Sequence, residues 1–252
     1  MGTLISVKGL TKTFASKKQQ NTVLQDVSFD MQAGEFVTVM GPSGSGKSTL
    51  LYTVSGMDAV TSGSVQFGGR EIASMDRKEL SQLRLNEMGF IFQQMYMLKK
   101  LNILDNIVLP AYQAGTARKE ANSRARQLMT DLGIQETANH EITEVSGGEL
   151  QRACLCRALI NEPKIIFADE PTGALNSRAA ADVMHELVKV WQNGTGILMV
   201  THAVRVAAMS ERVLYLMDGN IQGEMKLGKY TDETDLTERE HRLSAWLMEQ
   251  GW

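Results

Sequence analysis

The first forty residues alternate between short apolar runs and polar breaks, which is the pattern of β-strands. Apolar and β-branched residues concentrate at positions 4–7, 23–29 and 35–40. The second run is followed by Gln32-Ala33-Gly34, a sequence typical of a turn. The pattern therefore predicts strands joined by short turns, and we expect an antiparallel β subdomain near the N-terminus.

A helical pattern follows in the middle of the chain. From Asn102 to about Leu132 the residues have helical periodicity, and one apolar face contains Ala121, Ala125, Leu128, Met129 and Leu132. Gly133 comes next and predicts the end of this helix. We interpret residues 95–160 as a helical subdomain inserted between two α/β portions of the chain.

Strands and helices alternate in the next portion. A strand at residues 164–168 precedes a helix that ends at Asn193-Gly194, and a further strand covers residues 196–200. The apolar face of this helix contains Val183, Leu187, Val188 and Trp191. Strands that alternate with helices pair in parallel. The predicted fold class is therefore α/β, with a mostly parallel sheet, an antiparallel β subdomain and an inserted helical subdomain.

Length and charge narrow the classes of function. A chain of 252 residues is about 1.7 times a typical domain, which fits one large α/β domain with an insertion or two unequal subdomains. Lys and Arg number 26 against 29 Asp and Glu, a net charge of −3. No cationic field is present to attract nucleic acid, so no nucleic-acid partner is expected. The apolar runs are too short for a membrane span, so we expect the chain not to cross a bilayer.

A glycine-rich loop stands between the strand that ends at Met40 and a helix predicted from Lys47. Its sequence matches the pattern G-x-x-x-x-G-K-[ST] in full: Gly41, Pro42, Ser43, Gly44, Ser45, Gly46, Lys47 and Ser48. The N–H groups of such a loop surround phosphate oxygens, and the N-terminus of the following helix adds a positive dipole end. We expect Lys47 to reach the β and γ phosphates, Ser48 to bind Mg²⁺ and Thr49 to lie at the same site. The loop predicts a P-loop NTPase.

Two carboxylates follow the strand predicted at residues 164–168. Asp169 and Glu170 are expected at the carboxyl edge of the sheet, beside the phosphate loop. Asp169 can hold Mg²⁺, directly or through water, and Glu170 fits the general base that activates the attacking water. His202 follows another strand and is a candidate donor to the γ-phosphate. A helix-capping acid pair and a structural histidine are the alternatives.

A third motif, Val145-Ser146-Gly147-Gly148-Glu149, precedes a helical run at residues 150–160. Ser146 and Glu149 have the spacing of a capping box, so the motif alone predicts only a helix start. Together with the phosphate loop and the acid pair, it resembles the nucleotide-binding subunits of ATP-binding cassette (ABC) transporters, whose signature is LSGGQ. The resemblance covers residues 4–222.

The resemblance implies ATP and Mg²⁺ as cofactors and a second copy of the chain as a partner. In this family two subunits pair head to tail when ATP binds. The signature helix of one subunit presents the positions of Ser146, Gly147 and Gly148 to the γ-phosphate held by the other subunit. A helix N-terminus directed at an anion is the physical basis of this contact.

Further residues take family roles through the same resemblance. Gln93 corresponds to the residue that contacts Mg²⁺ and couples to the membrane partner, so the implied metal ligands are Ser48, Gln93 and Asp169. Phe14 occupies the place of the aromatic residue that stacks on adenine. Asn176 lies in the D-loop, the segment that faces the other subunit.

Three positions depart from the family pattern. Val145 stands for Leu and Glu149 for Gln in the signature, and Asn176 stands where the family usually has Asp. Glu149 is compatible with the signature if its carboxylate turns back to cap its own helix. Asn176 keeps a hydrogen-bonding amide and loses the charge, which bears on communication between the subunits.

Residues 88–93 and 167–175 most resemble the bacitracin-export, lipoprotein-release and macrolide-export branch of the family. This implies an ATPase that drives a separate integral membrane permease and exports or extracts an amphipathic substrate, such as an antimicrobial peptide or a lipid-linked molecule. The chain would then bind the cytoplasmic face of the inner or plasma membrane through that permease. The alternatives are a regulatory cassette that signals without transport and a soluble ABC protein of translation or DNA repair. A GTPase is disfavoured because the sequence has no N-K-x-D motif.

The end of the chain is the part least like the family. We divide the chain into an ABC ATPase domain over residues 1–228 and a tail over residues 229–252. Thr237 and Glu240 have the T-x-x-E spacing of a helix cap. One helical face contains Leu236, Leu243, Trp246 and Leu247. We expect this short amphipathic helix to pack on its own domain, with docking on a partner as the alternative.

Overall fold

The computed structural model describes residues 2–15 and 20–252. The chain divides into two compact units, Met1–Leu80 with Gly196–Trp252, and Ser81–Thr195. The strands are β1 (Thr3–Ala15), β2 (Gln20–Gln32), β3 (Phe36–Met40), β4 (Ser62–Phe67), β5 (Arg70–Glu71), β6 (Met88–Ile91), β7 (Ile165–Asp169), β8 (Gly196–Val200), β9 (Arg212–Met217) and β10 (Asn220–Lys226). The helices are α1 (Lys47–Val54), α2 (Arg77–Glu87), α3 (Ile103–Gln113), α4 (Arg118–Asp131), α5 (Gly147–Leu159), α6 (Ser177–Gln192), α7 (Val204–Ala207) and α8 (Glu233–Glu249).

The first unit contains an antiparallel sheet in the strand order β2-β1-β4-β5. β1 lies between its neighbours, and Val7 pairs with Phe29 of β2 and with Val65 of β4. Ile5 and Val7 of β1 are buried, because alternate side chains of a strand face the same side of the sheet, and Leu10 is buried beyond a shift in register. The antiparallel subdomain predicted near the N-terminus is therefore present.

β3 is the centre of the parallel strands in the first unit. β8 and β9 pair with it in parallel on its two edges, and β10 pairs antiparallel with β9. Every residue of β3 is buried, as expected for a strand covered on both faces. Val39 lies in register with Val200 of β8 and with Leu214 of β9. The carboxyl ends of β3 and β8 therefore lie at one edge, where the phosphate loop and the segment with His202 begin.

The second unit contains a parallel pair, β6 and β7, together with α3, α4, α5 and α6. Ile91 pairs with Ala168, so these two strands also end at a common edge. A Cβ at Gly89 of β6 would lie 2.6 Å from the carbonyl oxygen of Ala158, so only glycine allows α5 to pack this close. The strand predicted at residues 164–168 is confirmed as β7.

The predicted continuous helix over residues 102–132 is wrong, because the structure has two helices, α3 and α4, separated at residues 114–117. Gly115 has a left-handed backbone with φ of +88°. The amide of Thr116 donates to the carbonyl oxygen of Ala111 at 2.9 Å. A left-handed glycine with this bond across five residues closes a helix C-terminus.

The helix ends predicted at Gly133 and Gly194 are confirmed, and they use the same geometry. Gly133 has φ of +64° after α4, and the amide of Ile134 donates to the carbonyl oxygen of Met129 at 2.8 Å. Gly194 has φ of +100° and follows α6. The predicted apolar face of α6 is buried at Val183, Leu187, Val188 and Trp191.

The tail forms α8, which packs on the first unit. Leu236, Leu243 and Leu247 are fully buried. The ring of Trp246 meets Tyr215 of β9 edge-on, with 6.4 Å between the ring centroids. The predicted amphipathic face of this helix therefore packs against its own unit.

The predicted start of α8 is wrong. The T-x-x-E spacing of Thr237 and Glu240 places a cap at residue 237, whereas the helix begins at Glu233, one turn earlier. The carboxylate of Asp232 caps it and accepts the amide of Thr234 at 2.8 Å. An acid in the first turn also favours a start here, because it complements the positive end of the helix dipole.

The helices carry polar as well as apolar faces. α8, with 17 residues, buries its leucines and exposes charged residues between them. A bilayer crossing requires about 20 predominantly apolar residues in a helix. Within residues 2–15 and 20–252, no helix is long and apolar enough to cross a membrane.

The packing of α8 predicts unequal effects of two truncations on this helix. Leu243 is fully buried, so Leu243→Ala should lower the free energy of unfolding by about 2–5 kcal/mol. Met248 is 74% exposed, so the control Met248→Ala should change it by less than about 0.5 kcal/mol. Urea unfolding of both variants measures the difference, and two equally small losses would contradict the docked position of α8.

Candidate nucleotide site

The phosphate loop connects β3 to α1, and its ends are constrained by neighbouring backbone. A Cβ at Gly41 would lie 1.9 Å from the carbonyl oxygen of Leu216, so no side chain fits there. Gly46 has φ of +101°, and a Cβ there would lie 3.0 Å from the carbonyl oxygen of Val23. Both positions therefore require glycine. Gly41 is required because there is no space for a side chain, and Gly46 is required both for space and for its left-handed backbone.

The side chains of the loop leave its surface open to an anion. Pro42, Ser43 and Gly44 are exposed, whereas Ser45 is buried. The hydroxyl oxygen of Ser45 has no hydrogen-bond partner among the described residues. A buried hydroxyl without a partner fits a site whose bound phosphate supplies the missing acceptor.

Lys47 and the first turn of α1 give this surface a positive character. The ammonium of Lys47 donates to the carbonyl oxygens of Gly41 at 2.7 Å and Pro42 at 2.9 Å, so it is held against the loop. The first turn of α1 contains no acidic residue, and its N-cap, Gly46, offers no side-chain cap. The N–H groups at this helix end are thus directed at the loop without competition from a carboxylate.

His202 lies at the same edge of the first unit as the phosphate loop. The amide of Thr201 donates to the carbonyl oxygen of Val39 at 3.3 Å, which continues the pairing of β8 with β3. The hydroxyl oxygen of Thr201 accepts the amide of Ala203 at 3.1 Å. The backbone on both sides of His202 is thereby fixed, and the imidazole is exposed.

Phe14 is an exposed aromatic residue near the end of β1, with 44% of its surface accessible. The ammonium of Lys12 lies 4.7 Å from the centroid of its ring. The same ammonium donates to the carbonyl oxygen of Ala59 at 2.7 Å, which fixes it beside the ring. A ring with an open face is suited to stacking on a planar base.

The second unit brings two carboxylates and an amide to the edge where β6 and β7 end. Asp169 is buried, and Glu170 follows in a left-handed conformation with φ of +45°. The carbonyl oxygen of Glu170 accepts the amide of Gly173 at 3.0 Å. A Cβ at Gly173 would lie 3.4 Å from the amide nitrogen of Gln93, so Gln93 contacts this turn. A non-glycine residue in this conformation is strained, and such strain is concentrated at functional sites.

The signature residues form the N-terminus of α5. The hydroxyl and amide of Ser146 donate to the carboxylate of Glu149 at 2.7 and 2.8 Å, and the amide of Glu149 donates to the hydroxyl oxygen at 3.3 Å. These bonds from Ser146 lower the pKa of Glu149. Glu149 is turned back onto its own helix, the arrangement under which it is compatible with the signature. Ser146 and Gly147 remain exposed.

A cavity of about 350 Å³ lies between the N-termini of α5 and α6. Asn176 caps α6, and its side-chain oxygen accepts the amide of Ala179 at 3.0 Å. Two helix N-termini border this cavity together with two cations, Arg152 and Arg178, and one carboxylate, Asp182, so its field on balance favours an anion. Asn176 thus has a local role that an Asp would also fill.

Gln151 and Arg152 belong to none of the predicted motifs. The amide of Gln151 is buried and donates to the carbonyl oxygen of Pro171 at 2.7 Å, which fixes α5 to the turn after β7. The Nε of Arg152 is buried and has no hydrogen-bond partner in the described part of the chain. Both residues stand four positions after the signature glycines, and this helical spacing is the signal that could have identified them.

A phosphate loop between a strand and a helix, at the carboxyl edge of parallel strands, defines the class of phosphate-loop nucleotide-binding proteins. The family profile described as "ABC transporter" matches residues 24–173. The chain therefore belongs to the ABC transporter family, and the resemblance inferred from its motifs is confirmed.

Several relatives carry functional names. The lipoprotein-releasing system ATP-binding protein LolD of Aquifex aeolicus is 42% identical over 81% of this chain and 91% of its own length. YknY of Bacillus subtilis, described as an uncharacterized ABC transporter ATP-binding protein, is 38% identical over 86% of this chain and 95% of its own length. The macrolide export ATP-binding/permease protein MacB of Hahella chejuensis is 38% identical over 97% of this chain. The chain spans only 39% of that MacB protein.

Two solved structures of the ATP-binding cassette MJ0796 are similar to the chain. One is a dimer in a post-hydrolysis state bound to ADP and Pi, with a TM-score of 0.84 and 35% identity over 90% of this chain and 100% of that one. The other is described as a dimeric bacterial ABC transporter cassette, with the same TM-score and 36% identity. The likeness confirms the predicted fold class.

The capping box of α5 predicts a pH-dependent contribution of Glu149 to stability. Its pKa is lowered in the folded chain, so the contribution is fully present above the unfolded pKa of about 4.3 and is lost as pH falls through the folded pKa. Near neutral pH, Glu149→Gln should lower the free energy of unfolding by about 0.5–1 kcal/mol, because an amide caps without charge.

Urea unfolding of both proteins at several pH values measures this difference. It should close on acidification, because the protonated wild-type carboxyl group then resembles the amide. Glu238→Gln, at an exposed position of α8, is the control for removing one carboxylate. A Glu149→Gln difference that persists unchanged at low pH would contradict the charge-assisted cap.

Proposed function

We propose that this chain is the ATP-binding and ATP-hydrolysing subunit of an ABC transporter that pairs head to tail with a second copy and drives a separate membrane permease. The observation that carries the proposal is the presence of two anion-directed helix N-termini. One is α1 behind the phosphate loop, and the other is α5 behind the exposed Ser146 and Gly147. The names of the relatives LolD and MacB support the same function.

The phosphate loop binds the nucleotide in this proposal. The N–H groups of residues 41–46 and the α1 N-terminus surround the phosphate oxygens, with Ser48 and Thr49 in the first turn. The ammonium of Lys47 exchanges its two carbonyl acceptors for the β and γ phosphates. The open ring of Phe14 stacks on the adenine.

Mg²⁺, when bound, offsets the negative charge that develops on the phosphates. Its proposed protein ligands are the hydroxyl of Ser48, the carboxylate of Asp169, directly or through water, and the amide oxygen of Gln93. The described residues contain no cluster of three or more His, Cys, Asp or Glu that could hold a metal ion on its own. This fits Mg²⁺ in an ATP site, because that ion takes one or two carboxylates and fills its other positions with phosphate oxygens and water.

Glu170 is the proposed general base, and His202 is the proposed γ-phosphate donor. The carboxylate of Glu170 takes a proton from water as the water oxygen bonds to the γ-phosphorus and the bond to the bridging oxygen breaks. The left-handed backbone of Glu170 in the turn after β7 supports this role, because such strain is concentrated at functional sites. The exposed imidazole of His202 donates a hydrogen bond to a γ-phosphate oxygen.

A second copy completes each ATP site in this proposal. The amides of Gly147 and Gly148 meet the γ-phosphate on the partner's phosphate loop, and the hydroxyl of Ser146 turns its one proton from Glu149 to that phosphate. Glu149 stays turned back through the bond from the amide of Ser146, so its carboxylate keeps its charge but is held on its own helix and not against the phosphate. Asn176 faces the partner through the D-loop.

The segment from Gln93 to Leu109 is the proposed contact with the permease. It exposes large apolar side chains, with Tyr96 at 64%, Leu98 at 50% and Leu109 at 43%. The guanidinium of Arg157 donates to the carbonyl oxygens of Met95 and Tyr96 at 2.7 and 2.8 Å, which fixes the segment to α5. Exposed apolar side chains on a segment that is tied to α5 are suited to contact a partner protein.

The names of the relatives favour an amphipathic substrate. MacB is named for macrolide export and LolD for lipoprotein release. We therefore propose that the permease exports or extracts an amphipathic molecule, such as an antimicrobial peptide or a lipid-linked compound. The chain binds the cytoplasmic face of the membrane through this permease.

Glu170→Gln separates ATP binding from hydrolysis. The amide keeps the shape of the side chain but cannot accept the proton, so turnover should fall by about 10²-fold or more. ATP should then hold two copies together. Sedimentation velocity with ATP and Mg²⁺ and a phosphate-release assay measure both effects, with Glu186→Gln on α6 as the control. A Glu170→Gln chain that hydrolyses ATP normally contradicts the assignment.

Mixing two inactive chains tests whether each site is shared. Ser146→Arg should block the partner's site, because a bulky cation replaces the hydroxyl, and Lys47→Ala should weaken ATP binding in its own site. One shared site of the mixed dimer carries both changes, and the other carries neither. ATPase activity should therefore appear in the mixture although neither variant alone is active. A mixture as inactive as its parents would contradict head-to-tail pairing.

A further inference from the structure

Arg239 is a buried cation in the middle of α8. It is 2% exposed and lies on the same face as Leu236 and Leu243. Its guanidinium carbon lies 5.8 Å from the centroid of the Tyr230 ring. The carboxylate of Asp235 accepts from its Nη1 at 3.3 Å.

Backbone carbonyl oxygens supply most of the acceptors for this guanidinium. Nε donates to Ala208 at 2.7 Å, and Nη2 donates to Ser210 at 2.7 Å and to Gly228 at 3.0 Å. Nη1 donates to Leu227 at 3.0 Å and to Lys229 at 3.4 Å. The planar fork therefore joins α8 to residues 208–210, which are distant from it in sequence, and to residues 227–229, which come just before the helix.

The first of these segments is the end of α7. Ala208 is the C-cap of this helix, and Ser210 follows it before β9 begins. α7 is four residues long and starts directly after the backbone of His202 and Ala203. A helix this short has little stability of its own, so its orientation depends on what holds its two ends.

The start of this segment is fixed by β3 through the bond from Thr201 to Val39. Arg239 holds its end at Ala208 and Ser210, and the next residue, Glu211, donates its amide to the carbonyl oxygen of Phe36 at 2.9 Å. A second link between the two helices has its cation on α7. The guanidinium of Arg205 donates to Glu233 and Glu240 of α8, each at 3.2 Å. These last pairs are exposed and contribute little, whereas Arg239 cannot leave its acceptors without exposing buried carbonyls.

We propose that Arg239 is a positioning residue for His202, and that α8 is thereby part of the ATPase mechanism. Arg239 does not touch the nucleotide, and it acts by holding the C-terminal end of α7. The inference rests on the proposed role of His202 at the γ-phosphate. Release of α8 should lower turnover and leave ATP binding by the isolated chain unchanged, because Lys47 and the phosphate loop bind ATP without α7.

A double-mutant cycle on the full-length chain tests the proposal. His202→Ala should lower the ATPase turnover by about 10²-fold, since it removes a group that acts on the transferred phosphate. Arg239→Met should lower turnover by about tenfold with an unchanged dissociation constant for ATP. In the double variant, Arg239→Met should cause no further loss, because the group that it positions is absent.

The matched control is Arg242→Met, which removes an exposed arginine three residues further along α8. It should leave turnover unchanged. Thermal unfolding of every variant identifies one that fails to fold. In that case Arg239→Lys replaces Arg239→Met in the cycle, because its ammonium keeps the buried charge but lacks the planar fork that reaches both segments at once.

A spectroscopic readout separates positioning from general loosening. The chain has four histidines, so the imidazole signals of His202 in an NMR spectrum are identified by their absence in His202→Ala. They should shift in Arg239→Met and stay in place in Arg242→Met. Signals of His140 in the second unit should not move.

The outcomes distinguish the proposed role of His202 from the proposed role of Arg239. If His202→Ala keeps full turnover, the proposed role of His202 is wrong, and the inference falls with it. If His202→Ala loses turnover but the effect of Arg239→Met is the same in both backgrounds, Arg239 does not act through His202. An unshifted His202 signal in Arg239→Met would overturn the inference as well.

Discussion

The parallel pairing of β3 with β8 and β9 is the constraint on which the candidate site depends. β3 is buried over its whole length and fixes the direction and register of both neighbours. Because the strands are parallel, the phosphate loop after β3 and His202 after β8 start at one edge. The carbonyl oxygen of Leu216 on β9 lies so near Gly41 that the loop can begin only with glycine. The same sheet therefore sets both the position and the composition of the site.

Helix N-termini provide the phosphate-binding groups on both subunits of the proposed ATP site. α1 has no acid in its first turn, which leaves its N–H groups and Lys47 for phosphate. α5 does have an acid, Glu149, but Ser146 holds that carboxylate back in a capping box. Asn176 also acts as a helix cap, because its side-chain oxygen accepts a backbone amide of α6 as an Asp carboxylate would. Two of the three departures from the family pattern, Glu149 and Asn176, thus each take part in a local helix cap.

Features that depend on a few consecutive residues could be predicted from the sequence. Features that depend on contacts between distant residues could not. The phosphate loop and the helix end at Gly133 depend on a few consecutive residues, so sequence identifies them. The break at Gly115 carries the same signal, but the apolar pattern continues past it and concealed the end of α3. The start of α8 was misplaced because a T-x-x-E pattern one turn later matches a helix cap, whereas the residue that caps the helix is Asp232. Arg239 was unpredictable because its acceptors are backbone carbonyls, and no sequence motif encodes them.

The central claim is that the signature helix of one copy contacts the γ-phosphate held by another. An ATP analogue with a photoreactive group on its γ-phosphate tests it most directly, in a mixture of the wild-type chain and a tagged Lys47→Ala chain that does not hold the analogue. After irradiation, mass spectrometry should find the label on the tagged chain, in the peptide that contains Ser146 and Gly147. A label confined to the wild-type chain would mean that the γ-phosphate meets no signature helix of a partner, and would contradict the account.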